Sequence, residues 1–176
     1  MSKKTTMLLL LLGLIHPQTA AVASTASPPA ACPAHVFVLE RSTNANIVVY
    51  DAQRRASGEL DASKPVVAYW ILNAEKGQRE ELSSIQWNRA YGFDTRPAKK
   101  PGHDRMTFKA NLGRSFVVED VTGCPVAVTH INDHKAIVRR VFVQVKTTFL
   151  VPSVQAVTMY GDDLKTGAAV QETFHP

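Results

Sequence analysis

Val66-Val67-Ala68-Tyr69-Trp70-Ile71-Leu72 is apolar at every position, so both alternating faces of the strand it predicts are apolar. Lys64-Pro65 introduces it as a turn, and its β-branched and aromatic residues fit a pleated surface covered on both sides. Val36 to Leu39 and Ile47 to Tyr50 share the pattern. In an antiparallel protein, two-sided cover arises when one face meets the core and the other meets a helix, a partner, or the lumen of a barrel holding an apolar ligand. A thick core beneath loops and a helix satisfies the same pattern without a ligand.

Working outward, seven further runs read as strands: Val36 to Arg41, Ile47 to Tyr50, Met106 to Leu112, Phe116 to Val121, Val126 to Ile131, Ile137 to Phe149 and Val154 to Tyr160. Gly58, Thr122-Gly123 and Asn132-Asp133 supply turn chemistry between them. The fold class expected is mainly β, an antiparallel β-barrel or β-sandwich of about eight strands with one short helix. That helix is placed over Glu80 to Tyr91, with acids at its start, Arg89 near its end and Gly92 just beyond. Its apolar residues, Leu82, Ile85, Trp87, Ala90 and Tyr91, do not form one clean stripe.

Residues 1–23 have the layout of a cleavable export signal. Lys3 and Lys4 precede the apolar run Met7 to Leu12, which His16-Pro17 ends soon after, and Ala21-Val22-Ala23 places cleavage after Ala23. The run is roughly half the ~20 residues a spanning helix needs, so no transmembrane segment is expected after cleavage. Residues 24–34 read as a flexible leader, and residues 35–176 as a single β domain. A periplasmic or secreted location follows. The signal carries two of the formal net charge of +5 and no acid, leaving +3, which gives little support to nucleic-acid binding. Cys32 and Cys124 both remain and are expected to pair as a structural disulfide, the alternative being lipidation of Cys32 or free thiols.

Few residues advertise chemistry. Gly-x-Ser-x-Gly is absent, which disfavours a nucleophilic hydrolase. His130 and His134 have metal-ligand spacing on a helix, but Val126 to Ile131 is strand-like, and four residues of strand span ~13 Å. That distance is too long for one zinc bonded at ~2 Å, so neither a metal nor another cofactor is expected. Arg139-Arg140 interrupts an apolar strand, so one arginine is expected to face inward, with Glu40 or Glu119 as its partner. Around Glu40, Arg41, Asn44 and Asn46 the chain is either a self-bonded turn or the rim of a pocket.

The ordered blocks Asn44-Ala45-Asn46-Ile47-Val48-Val49-Tyr50, Lys64-Pro65-Val66 leading into Tyr69-Trp70-Ile71, Glu75 to Leu82, Ala90-Tyr91-Gly92, Tyr160-Gly161 and Lys165-Thr166-Gly167 resemble the bacterial domain of unknown function DUF4833. The resemblance runs from about Val36 to the C-terminus and implies an exported bacterial domain, with no catalytic residue to carry over. The leading functional expectation is binding of a lipid or other apolar or amphipathic small molecule in the cell envelope. Trp70, Trp87 and Tyr91 would line that site, Glu40, Arg41, Asn44 and Asn46 would sit at its rim, and Arg140 would be an anion-binding point. The alternatives are a structural or interaction module of the envelope, and an enzyme acting on envelope lipid or glycan through Glu40 or Asp104 with His103 or His130.

Overall fold

The computed structural model describes residues 32–97, 103–110, 114–149 and 151–176. The expected signal and most of the leader lie outside the described residues, as do residues 98–102 and the expected strand end at Asn111-Leu112. Eleven strands form a curled sheet: β1 (Phe37–Arg41), β2 (Asn44–Ala52), β3 (Val66–Leu72), β4 (Gln78–Glu81), β5 (Phe93–Arg96), β6 (His103–Phe108), β7 (Ser115–Val121), β8 (Cys124–Ile131), β9 (His134–Thr148), β10 (Val151–Asp163) and β11 (Ala169–Phe174). A short helix, α1 (Ser84–Gln86), runs directly into a π turn over Trp87–Tyr91 between β4 and β5.

The mainly β class with one short helix is therefore observed, as a half-barrel rather than a closed one. Its geometry follows from β9. Residues Ile137 to His134 pair antiparallel with β8, whereas Arg140 to Val143 pair parallel with β1. β10 pairs along most of β9, from Ala136 to Thr148. Two arms, β1-β2-β3-β4 and β8-β7-β6-β5, thus leave the same strand, and β9 joins them into one sheet. They close on an aromatic cluster: Phe37 stacks on Tyr50 at 4.3 Å and reaches Phe116 at 5.8 Å, while Tyr50 meets Phe108 edge-on at 5.6 Å. Such pairs add ~0.5–1.5 kcal/mol beyond their buried area. Met106, Ile131, Val138, Val141 and Met159 complete a core in which each is fully buried.

Two-sided apolar strands are explained without a central lumen. Val66, Ala68 and Trp70 of β3 face this core, while Tyr69 on the opposite face lies beneath the Arg79 guanidinium at 3.6 Å and donates its hydroxyl to Asp51. Burial and that carboxylate push the Tyr69 hydroxyl up to about 12. A long side chain covering a strand face replaces the helix or ligand that the pattern allowed.

Several expectations are corrected. Glu80 and Glu81 belong to β4, and the helix starts only at Ser84. Ser83 caps it, accepting from Gln86 N–H while the Gln86 side chain accepts from Ser83 N–H, a capping box that terminates the strand and starts the turn. The strand expected at Met106 begins at His103 and ends at Phe108, because Asp104, Met106 and Phe108 alternate inward. Strands β4, β5 and β11 escape the sequence reading, being short or charged edge strands. Neither Arg139 nor Arg140 enters the core. Arg140 lies opposite Tyr160 and Val138 opposite Gly161, so Arg139 is an extra residue in a β-bulge where β9 changes partners. Both guanidiniums stay partly exposed, Arg139 on Asp162 at 2.7 Å and Arg140 on Glu40 at 3.0 Å.

Cys32 and Cys124 are disulfide-bonded, joining the segment before β1 to the start of β8 across 92 residues. Arg54 reinforces the same end, donating to Asp120 at 3.3 Å and to the Gly123 carbonyl at 3.2 Å. Reducing the bridge is predicted to lower unfolding free energy by ~2–4 kcal/mol in urea melts with and without reductant. Gly161 lies against the bulge, where an added Cβ would meet the Ile137 carbonyl oxygen at 2.3 Å and the Ile131 side chain at 2.9 Å. Gly161→Ala is predicted to cost ~1–3 kcal/mol by the same measurement, through forced displacement of β9 from β10.

Candidate functional site

At the end of β1 remote from the disulfide, the filled core gives way to a cavity of about 500 Å³. Leu39 and Arg41 enter it from β1, continuing the inward alternation that begins at Phe37. Val143 and Val145 of β9 and Pro152 to Val154 of β10 form another wall. The π turn contributes Arg89, Ala90 and Tyr91, and Ala110 lies beyond β6. The π turn itself is held by Gly92, whose N–H donates to the Trp87 carbonyl at 2.9 Å. A side chain at Gly92 would collide with that carbonyl oxygen at 2.1 Å. Tyr50, fully buried, donates its hydroxyl to the Tyr91 carbonyl at 2.8 Å, so the aromatic core positions the turn that lines the cavity.

Arg41 is the polar centre of this region. Its guanidinium carbon sits 4.5 Å from the centre of the Trp70 ring and 5.6 Å from that of Tyr91. Nη1 donates to the Tyr91 hydroxyl at 2.8 Å and Nη2 to Asn44 Oδ1 at 3.2 Å. Arg41 Nε and Trp70 Nε1 are buried donors with no acceptor among the described residues. Both lack what a buried polar group ordinarily has.

Arg41, Asn44, Trp70 and Tyr91, named from the sequence, are therefore brought together. The remaining four are not. Glu40 and Arg140 form an ion pair on the other face of β1, with Arg140 also 4.0 Å over the Tyr160 ring. Asn46 accepts from the Ala74 N–H at 3.3 Å and ties the start of β2 to the β3–β4 connection. Trp87 packs on Phe93 at 5.1 Å and borders a separate cavity of about 510 Å³ with Arg79, Glu81 and Leu82. Ser42 donates to the Val145 carbonyl and accepts from the Val145 N–H at 2.9 Å. It extends the β1–β9 contact one step past the end of β1.

Sequence reasoning missed Leu39, Val143, Val145, Arg89 and the Pro152 to Val154 wall. Leu39 was read as core, which it is on one side, and the β9–β10 wall depends on a hairpin longer than the apolar pattern shows. Elsewhere, His103 Nδ1 lies 2.5 Å from Glu119, and burial raises the pKa of the neighbouring Asp104. Neither His103 nor Glu119 borders the cavity at the end of β1 or the one beside Trp87, and the carboxylates named with a histidine, Glu40 and Asp104, are not the partner.

Asn132 and Asp133 make the turn that the sequence predicts, in left-handed backbone at φ 48° and 66°, and His134 opens β9 directly after it. Its Nδ1 lies 2.8 Å from Asp163 Oδ2. The Thr166 N–H foremost, then His134 and the Thr166 hydroxyl, hold the Asp163 carboxyl down at about 2. A carboxylate with a depressed folded pKa stabilises the fold above its ordinary value near ~4 and loses that contribution as pH falls toward the folded value. Asp163→Asn is thus predicted to be destabilised relative to the native protein at pH 7, with the difference shrinking between pH ~4 and ~2 in urea melts across that range.

The family model described as "Domain of unknown function (DUF4833)" matches residues 37–173. No curated protein and no solved structure matches the chain.

Proposed function

The chain belongs to the DUF4833 family, and on that premise we propose that it is an exported protein binding an apolar or amphipathic ligand in the cavity at the end of β1. The observation that carries this reading is the cavity itself. Its volume of about 500 Å³ lies within the ~300–1,000 Å³ range of small-molecule sites, and its walls are mostly Leu, Val, Ala, Pro and Tyr with a few polar groups at fixed positions. Export is supported by the Lys3-Lys4 to Ala23 signal layout and by a disulfide, a bond that persists in oxidising compartments. Among the described residues no helix is long and apolar enough to cross a membrane.

An interaction module is a second reading, favoured by Phe149, which is 97% exposed at the β9–β10 hairpin, and by Val154, 46% exposed beside it. The two readings separate by experiment. Titration calorimetry of the purified protein with 1-decanol is expected to show saturable one-site binding. Ala90→Phe, which fills the cavity from the π turn, is expected to weaken it roughly tenfold or more, as one lost apolar site of this size would. Absence of binding, or binding indifferent to Ala90→Phe, would leave the cavity reading without support. Loss of binding on Phe149→Ser alone would move the site to the hairpin.

A further inference from the structure

We propose that the occupant of this cavity is a single-chain amphiphile with an anionic head, a carboxylate or phosphate, held by Arg41 and Arg89; the inference rests on the cavity being a ligand site. Arg54, Arg55, Arg79, Arg114, Arg139 and Arg140 each have a carboxylate within ion-pair distance. Arg41, Arg89, Arg96 and Arg105 have none among the described residues, and of these four Arg41 and Arg89 border the cavity. Among the described residues, no acidic side chain lines it.

A guanidinium taken partly out of water is costly unless an opposite charge or full hydrogen bonding replaces its hydration. Arg41 receives only neutral partners: two aromatic faces, the Tyr91 hydroxyl and the Asn44 amide oxygen. Its Nε remains without an acceptor. Trp70, 4% exposed and directly under the guanidinium, has a second donor, Nε1, equally without one. Trp70 lies behind Arg41 and not in the cavity wall, so the demand falls on Arg41: a guanidinium with an orphaned Nε, bordering an apolar cavity beside a second arginine, asks for an acceptor carrying negative charge.

The rest of the ligand is defined by the walls. Leu39, Val143 and Val145 offer hydrocarbon to a chain while Arg41 fixes the head at the mouth of β1. An anionic head gains charge-assisted hydrogen bonds, about twice as strong as neutral ones. A cationic head meets two arginines and is repelled, so discrimination has both an attractive and a repulsive element. A cavity of about 500 Å³ holds one chain comfortably.

The test compares four ligands of equal chain length on the purified protein by titration calorimetry: decanoate, decyl phosphate, 1-decanol and decyltrimethylammonium. Decanoate and decyl phosphate are expected to bind roughly tenfold or more tighter than 1-decanol, with the cation weakest. Inorganic phosphate and acetate, lacking the chain, are expected to give no measurable binding; if either matches its decyl counterpart, the site is a simple anion site and the proposal fails. Arg41→Gln and, independently, the exposed Arg89→Gln are expected to reduce affinity for the anions toward that for 1-decanol while leaving 1-decanol unchanged. Arg89→Gln keeps the test decisive if Arg41→Gln does not fold. Equal affinity for all four ligands, or anion binding indifferent to both substitutions, overturns the head-group assignment while leaving the cavity reading intact. Binding by none of the four overturns both.

Discussion

A β-strand has two edges, and each residue on an edge has one place for a neighbour. In this protein β9 uses one edge twice, giving its first residues to β8 and its later ones to β1. At 15 residues it is long enough for both, between two and three times the ~5–6 residues of an ordinary strand. The changeover is made at the bulge around Arg139, which also turns two adjacent cationic side chains away from the core. Because two arms depart from one edge, they can curl toward each other and bury Phe37, Tyr50, Phe108 and Phe116 between them. The disulfide and the Arg54 contacts hold the arms together at one end.

The position of the cavity follows from the same arrangement. β1 stops at Arg41, opposite Val143, while β9 and β10 continue as a hairpin beyond it. The hairpin overhangs the end of the aromatic core, and the π turn approaches from the other arm, leaving apolar walls with nothing between them. Arg41 is the last inward residue of β1, so a cation is delivered to the boundary between core and void. Tyr50 links the two regions, since its buried hydroxyl fixes the Tyr91 carbonyl and burial holds that hydroxyl well above its ordinary pKa.

Legibility in the sequence depended on whether a feature was local. The long strands, the Asn132-Asp133 turn and the pairing of Cys32 with Cys124 were readable because β-branched runs, turn residues and an even cysteine count each carry their own signal. Glu80-Glu81 misled because acids before an apolar segment look alike in an edge strand and in a first helical turn, and Ser83 with Gln86 was the better start signal. The parallel β1–β9 pairing was invisible because it joins residues about 100 positions apart, and the bulge because a register shift between β9 and β10 leaves no turn signal of its own. Arg41, Asn44, Trp70 and Tyr91 were legible as candidates because polar and aromatic groups flank a strand end. Val143, Val145 and Val154 were not, because an apolar residue reads as core until the space beside it is known.

The proposed ligand resides in the cavity at the end of β1, with its head on Arg41, and not in the filled interior. A crystal structure of the protein grown with decanoate addresses this directly. The account predicts an alkyl chain between Leu39 and Val145 and a carboxylate within hydrogen-bond distance of Arg41. A chain found between the arms near Phe37, a chain on the exposed hairpin at Phe149, or a cavity empty at saturating decanoate would contradict it.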